Sequence, residues 1–158
     1  MSPENLALLQ EVNLAATWFA ARKTKPLWAR RVGVAQAVSS PEGELEAKPG
    51  DFLCKGVEGE LWVQAEATLR AKYAETGQNS TDAEGLAWQE YAPRPEGSGV
   101  MAVQISHPFE VHSSWGILVG KPGDYLLKRE DDRDVEFPAD VWTVDRTVFE
   151  STYQRLVD

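Results

Sequence analysis

Apolar positions change their period several times along this chain, and each change marks an element. Leu8, Val12, Ala15 and Phe19, with Leu9 and Trp18 beside them, recur at helical spacing. Ser2-Pro3-Glu4 before them is a helix start, because Ser2 can cap, Pro3 suits the first helical position and Glu4 complements the positive end of the dipole. The stripe predicts a helix running to about residue 22. Val32, Val38 and Leu45, and later Val100, Val103, Ile105, Val111, Ile117 and Val119, fall in short β-prone runs. Between these blocks Thr81-Asp82-Ala83-Glu84 opens a second helical stretch, with Ala87, Trp88 and Tyr91 as its apolar face and Pro93 and Pro95 as its stop. Short closing helices are expected at Thr68–Tyr73 and Thr147–Tyr153.

The β-prone blocks say the same thing twice. Lys48-Pro49-Gly50-Asp51-Phe52-Leu53 returns 73 positions later as Lys121-Pro122-Gly123-Asp124-Tyr125-Leu126. At that offset Leu27, Ala29, Val32, Val38, Ser40, Gly43 and Leu45 face Val100, Ala102, Ile105, Val111, Ser113, Gly116 and Leu118. Farther on the offset is 80, where Leu61, Trp62, Leu69 and Tyr73 face Val141, Trp142, Phe149 and Tyr153. The second copy has gained residues in the charged stretch from Lys128 to Glu136, which reads as an enlarged hairpin loop. Each Pro-Gly-Asp element reads as a type II turn: proline presets the first central φ, and glycine supplies the positive φ of the second. Glu58-Gly59 suggests a further hairpin bend.

These patterns predict an α+β fold of two tandem, β-rich and partly barrel-like repeats, each preceded by a helix. The expected division is 1–75 for the first helix and repeat, the polar stretch 76–80 as linker, and 81–158 for the second helix and repeat. A length of 158 residues with 42% hydrophobic content and six Trp suffices for a core. No apolar run reaches the roughly 18–20 residues of a membrane helix, and no signal-peptide pattern opens the chain, so a cytoplasmic location is expected. The single cysteine, Cys54, excludes an internal disulfide and reads as a buried structural thiol. A formal charge of −9 disfavours direct nucleic-acid binding. The one dense basic cluster, Arg22-Lys23-Thr24-Lys25 with Arg30-Arg31, reads as favourable charge at the end of the first helix.

The ordered motifs carry a family likeness. Lys25-Pro26-Leu27-Trp28-Ala29, the Pro-Gly-Asp element, Gly56-Val57-Glu58-Gly59-Glu60-Leu61-Trp62 and Leu69–Tyr73 resemble the small PGDYG family of bacteria and their phages. The second repeat resembles it through Met101–Gln104, His107–Val111, Gly120–Leu126 and Phe149-Glu150-Ser151-Thr152-Tyr153. The resemblance implies a phage or prophage origin and brings no reaction and no catalytic residue. The copies depart from the pattern in complementary places: the first has Lys72 where threonine precedes the tyrosine, and the second has lost the Gly-Glu pair to its insert.

Candidate chemistry is sparse. His107 and His112, around Phe109 and Glu110, could supply metal ligands or a base, but in one strand they would point to opposite faces. Asp51 and Asp124 are equivalent in the repeat and could meet across a pseudo-twofold axis to share a proton or a cation; turn stabilisation explains them as well. Trp115, beside His112-Ser113-Ser114 in a presumed loop, could stack on a base or anchor a partner. No phosphate loop, nucleophile elbow or zinc-spaced cluster is present, so no metal site, cofactor or catalytic residue is assigned. The leading expectation is a non-enzymatic binding or interaction protein that recognises a protein or a small ligand. A small-molecule, nucleotide-like binder or enzyme with its site between the repeats is the second reading. An acidic mimic of nucleic acid is the third.

Overall fold

The structure, a computed structural model, describes residues 2–156, so the outermost residues of the expected spans 1–75 and 81–158 lie outside the described residues. Helix α1 (Pro3–Ala15) begins as its sequence dictates, with the Ser2 hydroxyl accepting from the Asn5 amide at 3.0 Å and Pro3 in the first turn. It stops well short of residue 22. Phe19–Lys23 is instead strand β1, inserted between two others with Ala20 and Ala21 both buried, one on each face.

Two five-stranded antiparallel sheets dominate the rest. One is built from β2 (Leu27–Arg31), β5 (Phe52–Lys55), β6 (Leu61–Gln64), β7 (Tyr73–Thr81) and β8 (Ala87–Pro93), in the order β6-β5-β2-β8-β7. The other combines β1 with β9 (Gly99–Gln104), β12 (Tyr125–Arg129), β13 (Val141–Val144) and β14 (Tyr153–Arg155), in the order β13-β12-β9-β1-β14. Each sheet has its own satellite hairpin, β3 (Gln36–Ser40) with β4 (Gly43–Ala47), and β10 (Phe109–Ser113) with β11 (Gly116–Gly120). Short helices α2 (Glu66–Lys72) and α3 (Arg146–Thr152) precede β7 and β14. The fold is therefore mixed α+β and mostly β. Neither sheet closes on itself, so the barrel-like expectation is corrected: both end in free edge strands.

The places occupied by β2, β5, β6 and β7 in one sheet are those of β9, β12, β13 and β14 in the other. The fifth strand crosses over. β1 leads into β2 yet lies between β9 and β14, with Ala21 opposite Val100 and Arg155. β8 leads into β9 yet lies between β2 and β7, with Tyr91 opposite Leu27 and Glu75. Each sheet thus contains a strand supplied by the other half of the chain.

This exchange explains two further corrections. The expected linker 76–80 lies inside β7, and the expected helix at 81–92 is the β7–β8 hairpin. Asp82 accepts from the Glu84 and Leu86 amides and Gly85 takes φ +82°, so Thr81–Gly85 makes a turn and not a helix start. Trp88 and Tyr91 are three apart and both buried because they face opposite sides of the sheet, in different apolar clusters. Helical spacing and a strand buried on both faces look alike at that separation.

The Pro-Gly-Asp turns match closely. Gly50 and Gly123 have φ +94° and +96°, and the Asp51 and Asp124 amides donate to Lys48 and Lys121 carbonyls at 3.0 Å each. Gly50 and Gly123 also donate to Val32 and Ile105, fastening each turn under its own sheet. The satellite hairpins interlock reciprocally: the Gly43 Cα packs against the Ile117 carbonyl and the Gly116 Cα against that of Glu44. A side chain at either glycine would strike that backbone. The largest apolar cluster spans both halves, joining Leu45 and Val63 to Val111, Leu126 and Val141 beneath α1. Among the described residues no helix is long and apolar enough to cross a membrane.

Candidate functional site

Between the edge strands β6 and β13, one from each sheet, opens a cavity of about 460 Å³. Its wall is drawn from both halves and is mainly apolar: Leu61, Trp62 and Val63 from β6, Val141, Trp142 and Val144 from β13, and Leu45, Trp115 and Leu118 from the hairpins. Trp62 and Trp142 are half-buried there, while their strand neighbours Val63 and Val141 are buried in the core cluster that spans both halves. Tyr153 is set by a stack of rings, Tyr125 on Phe149 at 3.9 Å and Phe149 on Tyr153 at 4.7 Å.

A smaller chamber of about 70 Å³ adjoins the cavity, sharing Lys23, Trp62, Gln64, Lys72, Trp142 and Tyr153 with it and adding Tyr73, Gly97, Ser98 and Val100. Two ammonium groups stand there. Lys23, the last residue of β1, holds Nζ 4.4 Å from the Trp62 ring centre and within 6 Å of Tyr73 and Tyr153. Lys72, the last residue of α2, holds Nζ 4.5 Å from the Trp142 ring centre. Burial pulls Lys23 down to about 8, with Lys72 lowering it further against the opposing pull of Cys54, Glu60 and Glu42. Burial also lowers Lys72, against Asp140. Tyr73 and Tyr153 are pushed up, above all by burial, so both stay neutral phenols.

Glu42, in the β3–β4 turn, forms part of the cavity wall, and its charge reaches Lys23 and Tyr153. Its carboxylate accepts from the Asp145 amide at 3.1 Å, and burial, aided by the Asp145 charge, pushes it up to about 7. Asp145 caps α3 through Val148 and pairs with Lys121 at 3.2 Å. The first hairpin is thereby tied to the helix that carries Tyr153.

The residues singled out from sequence are scattered. Trp115 lines the cavity, half-buried in the β10–β11 turn; Nε1 donates to Asp51 at 3.4 Å and its carbonyl accepts from Glu46. It is thus built into the junction of the hairpins and is not a free loop side chain. His112 lines the cavity too, with both backbone groups bonded to the Asn5 side chain at 2.8 and 2.9 Å and Nε2 3.7 Å from Glu110. His107 lies elsewhere, outside β10, with Nε2 2.7 Å from Glu11 of α1. The Pro108 carbonyl, then Glu11, holds its pKa above the usual imidazole range. Asp51 and Asp124 share no partner. Asp51 accepts from the Lys48 amide, whereas Asp124, 1% exposed, accepts from the Lys121 amide and ammonium and from the Arg146 amide. Among the described residues no group of three His, Cys, Asp or Glu could hold a metal ion. Cys54 is fully buried, pushed up to about 12 by burial and accepting from Gln64 at 3.4 Å.

Sequence reasoning passed over Lys23, Lys72, Trp62, Trp142 and Glu42. Lys23 reads as charge at a helix end only while the helix runs to residue 22; in a strand it points inward. Lys72 carried a usable signal, since it departs from the Thr152 of the matched segment. Comparison with known proteins gives no match to a family model, to a curated protein or to a solved structure.

Proposed function

We propose that this protein is a non-enzymatic binding protein that holds a small planar organic ligand in the cavity between its halves. We further infer that the halves are divergent copies of one module of the PGDYG kind, as the matched turns and strand orders suggest, with one strand exchanged between them. The observation that carries the ligand reading is the ring frame: Trp62, Trp142 and Trp115 border one cavity whose volume falls in the usual range of about 300–1,000 Å³ for small-molecule sites. Flat indole faces along an apolar seam suit a flat ligand, and polar groups at one end would orient it.

The test is native mass spectrometry of the protein recovered from its own lysate, beside a Trp142→Ala variant. A stoichiometric small molecule on the wild type and none on the variant is expected. An empty wild-type protein whose partner is instead a stoichiometric protein would replace the cavity reading with an interaction module.

A further inference from the structure

We infer that the small chamber between Lys23 and Lys72 is an oxyanion subsite, so that the ligand is an aromatic acid with its carboxylate or phosphate seated between the two ammonium groups. This rests on the cavity reading above and assigns the ligand its chemical class.

Two lysines provided with acceptors give the contrast, the exposed Lys121 and the buried Lys128. Lys121 Nζ bonds Asp124 at 3.0 Å and Asp145 at 3.2 Å. Lys128, 3% exposed, satisfies its ammonium with the carbonyls of Val135 and Arg133. Among the described residues Lys23 and Lys72 have neither a hydrogen-bond acceptor nor an ion-pair partner, only ring faces; Lys55 over Trp88 is alike in this, but Lys23 and Lys72 line one chamber together. Two half-buried like charges without acceptors are unfavourable in an empty protein, and an entering anion would satisfy both. The lowered pKa of Lys23 reports the same unfavourable enclosure.

The nearby carboxylates do not fill that role. Glu60 folds back over Gly56, its carboxylate occupying the place of a Cβ there, and it accepts from the Glu58 amide. Glu42 is bonded to Asp145. The chamber opens into the ring-lined cavity through its shared Trp62 and Trp142, so an acid group in the first places an attached ring in the second. The lysines also break the match between halves, since Lys72 corresponds to Thr152, whose hydroxyl is used within α3 by the Val148 carbonyl. The two ammonium groups therefore make one end of the seam cationic, which gives an anionic ligand a single orientation.

Titrate the full chain, followed by tryptophan fluorescence at pH 7 and physiological salt, with 1-naphthol, 1-naphthoate and 1-naphthyl phosphate. At least one acid should bind about tenfold tighter than naphthol, and the better acid decides between carboxylate and phosphate. Lys23→Met and Lys72→Thr should each weaken that acid about tenfold and leave naphthol within about twofold. Because Lys72→Thr installs the residue of the matched segment, its folding can be checked independently by thermal melting. Equal binding of all three probes, unmoved by either lysine variant, overturns the subsite and leaves the cavity standing. Absence of binding by any probe overturns both.

Discussion

The last turns of α2 and α3 occupy the same place in their sheets and end in the same residue, Tyr73 or Tyr153, yet they do different things with the residue before it. Thr152 is 1% exposed and spends its hydroxyl on the Val148 carbonyl of its own helix. Lys72 sends an ammonium across the seam onto Trp142, a residue of the other half. The Pro-Gly-Asp turns diverge similarly. Their backbones agree to within 2° in the glycine φ, but Asp124 is locked into α3 while Asp51 supports Trp115. Matched backbones hold the architecture constant, and differing side chains make the two ends of one cavity unlike.

The largest effects follow from the exchanged strands. Ala21 is fully buried in β1 between β9 and β14. Ala21→Asp buries an unpaired carboxylate and should destabilise by about 4 kcal/mol or more. Hydrogen exchange should show protection lost first in β9 and β14, far along the chain, while β2 next door is affected later. Tyr91→Asp should do the reverse, stripping β2 and β7. If the damage tracks sequence proximity instead, the two sheets do not depend on borrowed strands.

The turn carboxylates should separate next. Asp124→Ala leaves the amides of Lys121 and Arg146 without their acceptor and the Lys121 ammonium with Asp145 alone, a loss of about 3 kcal/mol. Asp51→Ala, at a partly exposed site, should lose about 1 kcal/mol. Denaturant unfolding of the pair measures the difference. Equal losses would mean that α3 gains nothing from Asp124.

How much of this was readable in the sequence depends on whether the residues report local or distant geometry. The matched turns, the α1 start, the closing helices and the enlarged loop between β12 and β13 were legible, because proline, glycine and capping residues act on their neighbours. The strand exchange was not. Arg22-Lys23 looks like a helix end until β9 and β14 claim it, and Trp88 with Tyr91 fits helical spacing until both sheet faces are covered. The cavity was half-legible: Trp115 and His112 were singled out, whereas Trp62 and Trp142 looked like core and Lys23 like surface. Only the folded chain brings β6 and β13 to the two sides of one cavity.

Two groups of the cavity wall, Glu42 and Lys23, carry opposite pH signs and sharpen the contrast. Glu42 binds its proton more tightly folded than unfolded, about 7 against an ordinary 4.5. The contribution of Glu42 to stability should therefore fall as pH rises from 4.5 to 7 and stay lowered above it. The groups facing it are Asp145, Asp124 and Lys121, the first two opposing ionisation and the last favouring it. Glu42→Gln should gain about 2 kcal/mol at pH 8, after discounting for its partial exposure, and nothing at pH 4. Lys23 behaves inversely: its pKa of about 8 lies below the ordinary 10.5, so its unfavourable burial is complete below pH 8 and is relieved as pH rises to 10.5. Lys23→Met should stabilise at pH 7 and lose that advantage by pH 10.5. Thermal melts across pH decide both; a pH-independent difference for either variant would place that side chain in solvent.

The smallest effect is the most even one. Gly50 and Gly123 sit at φ +94° and +96°, where any Cβ is strained, so alanine at either should lose about 1 kcal/mol. A Cβ on Gly50 meets nothing within 4 Å, and one on Gly123 meets only the flexible Arg146 side chain at 3.2 Å. Sterics thus add little to tell the two apart. Near-equal losses for the glycines beside unequal losses for the adjacent aspartates would show that the turn backbone is a fixed requirement of both halves, while the side chain it carries is free to specialise. A Gly123→Ala loss several times that of Gly50→Ala would instead mean that the contact between this turn and α3 has come to govern the backbone as well.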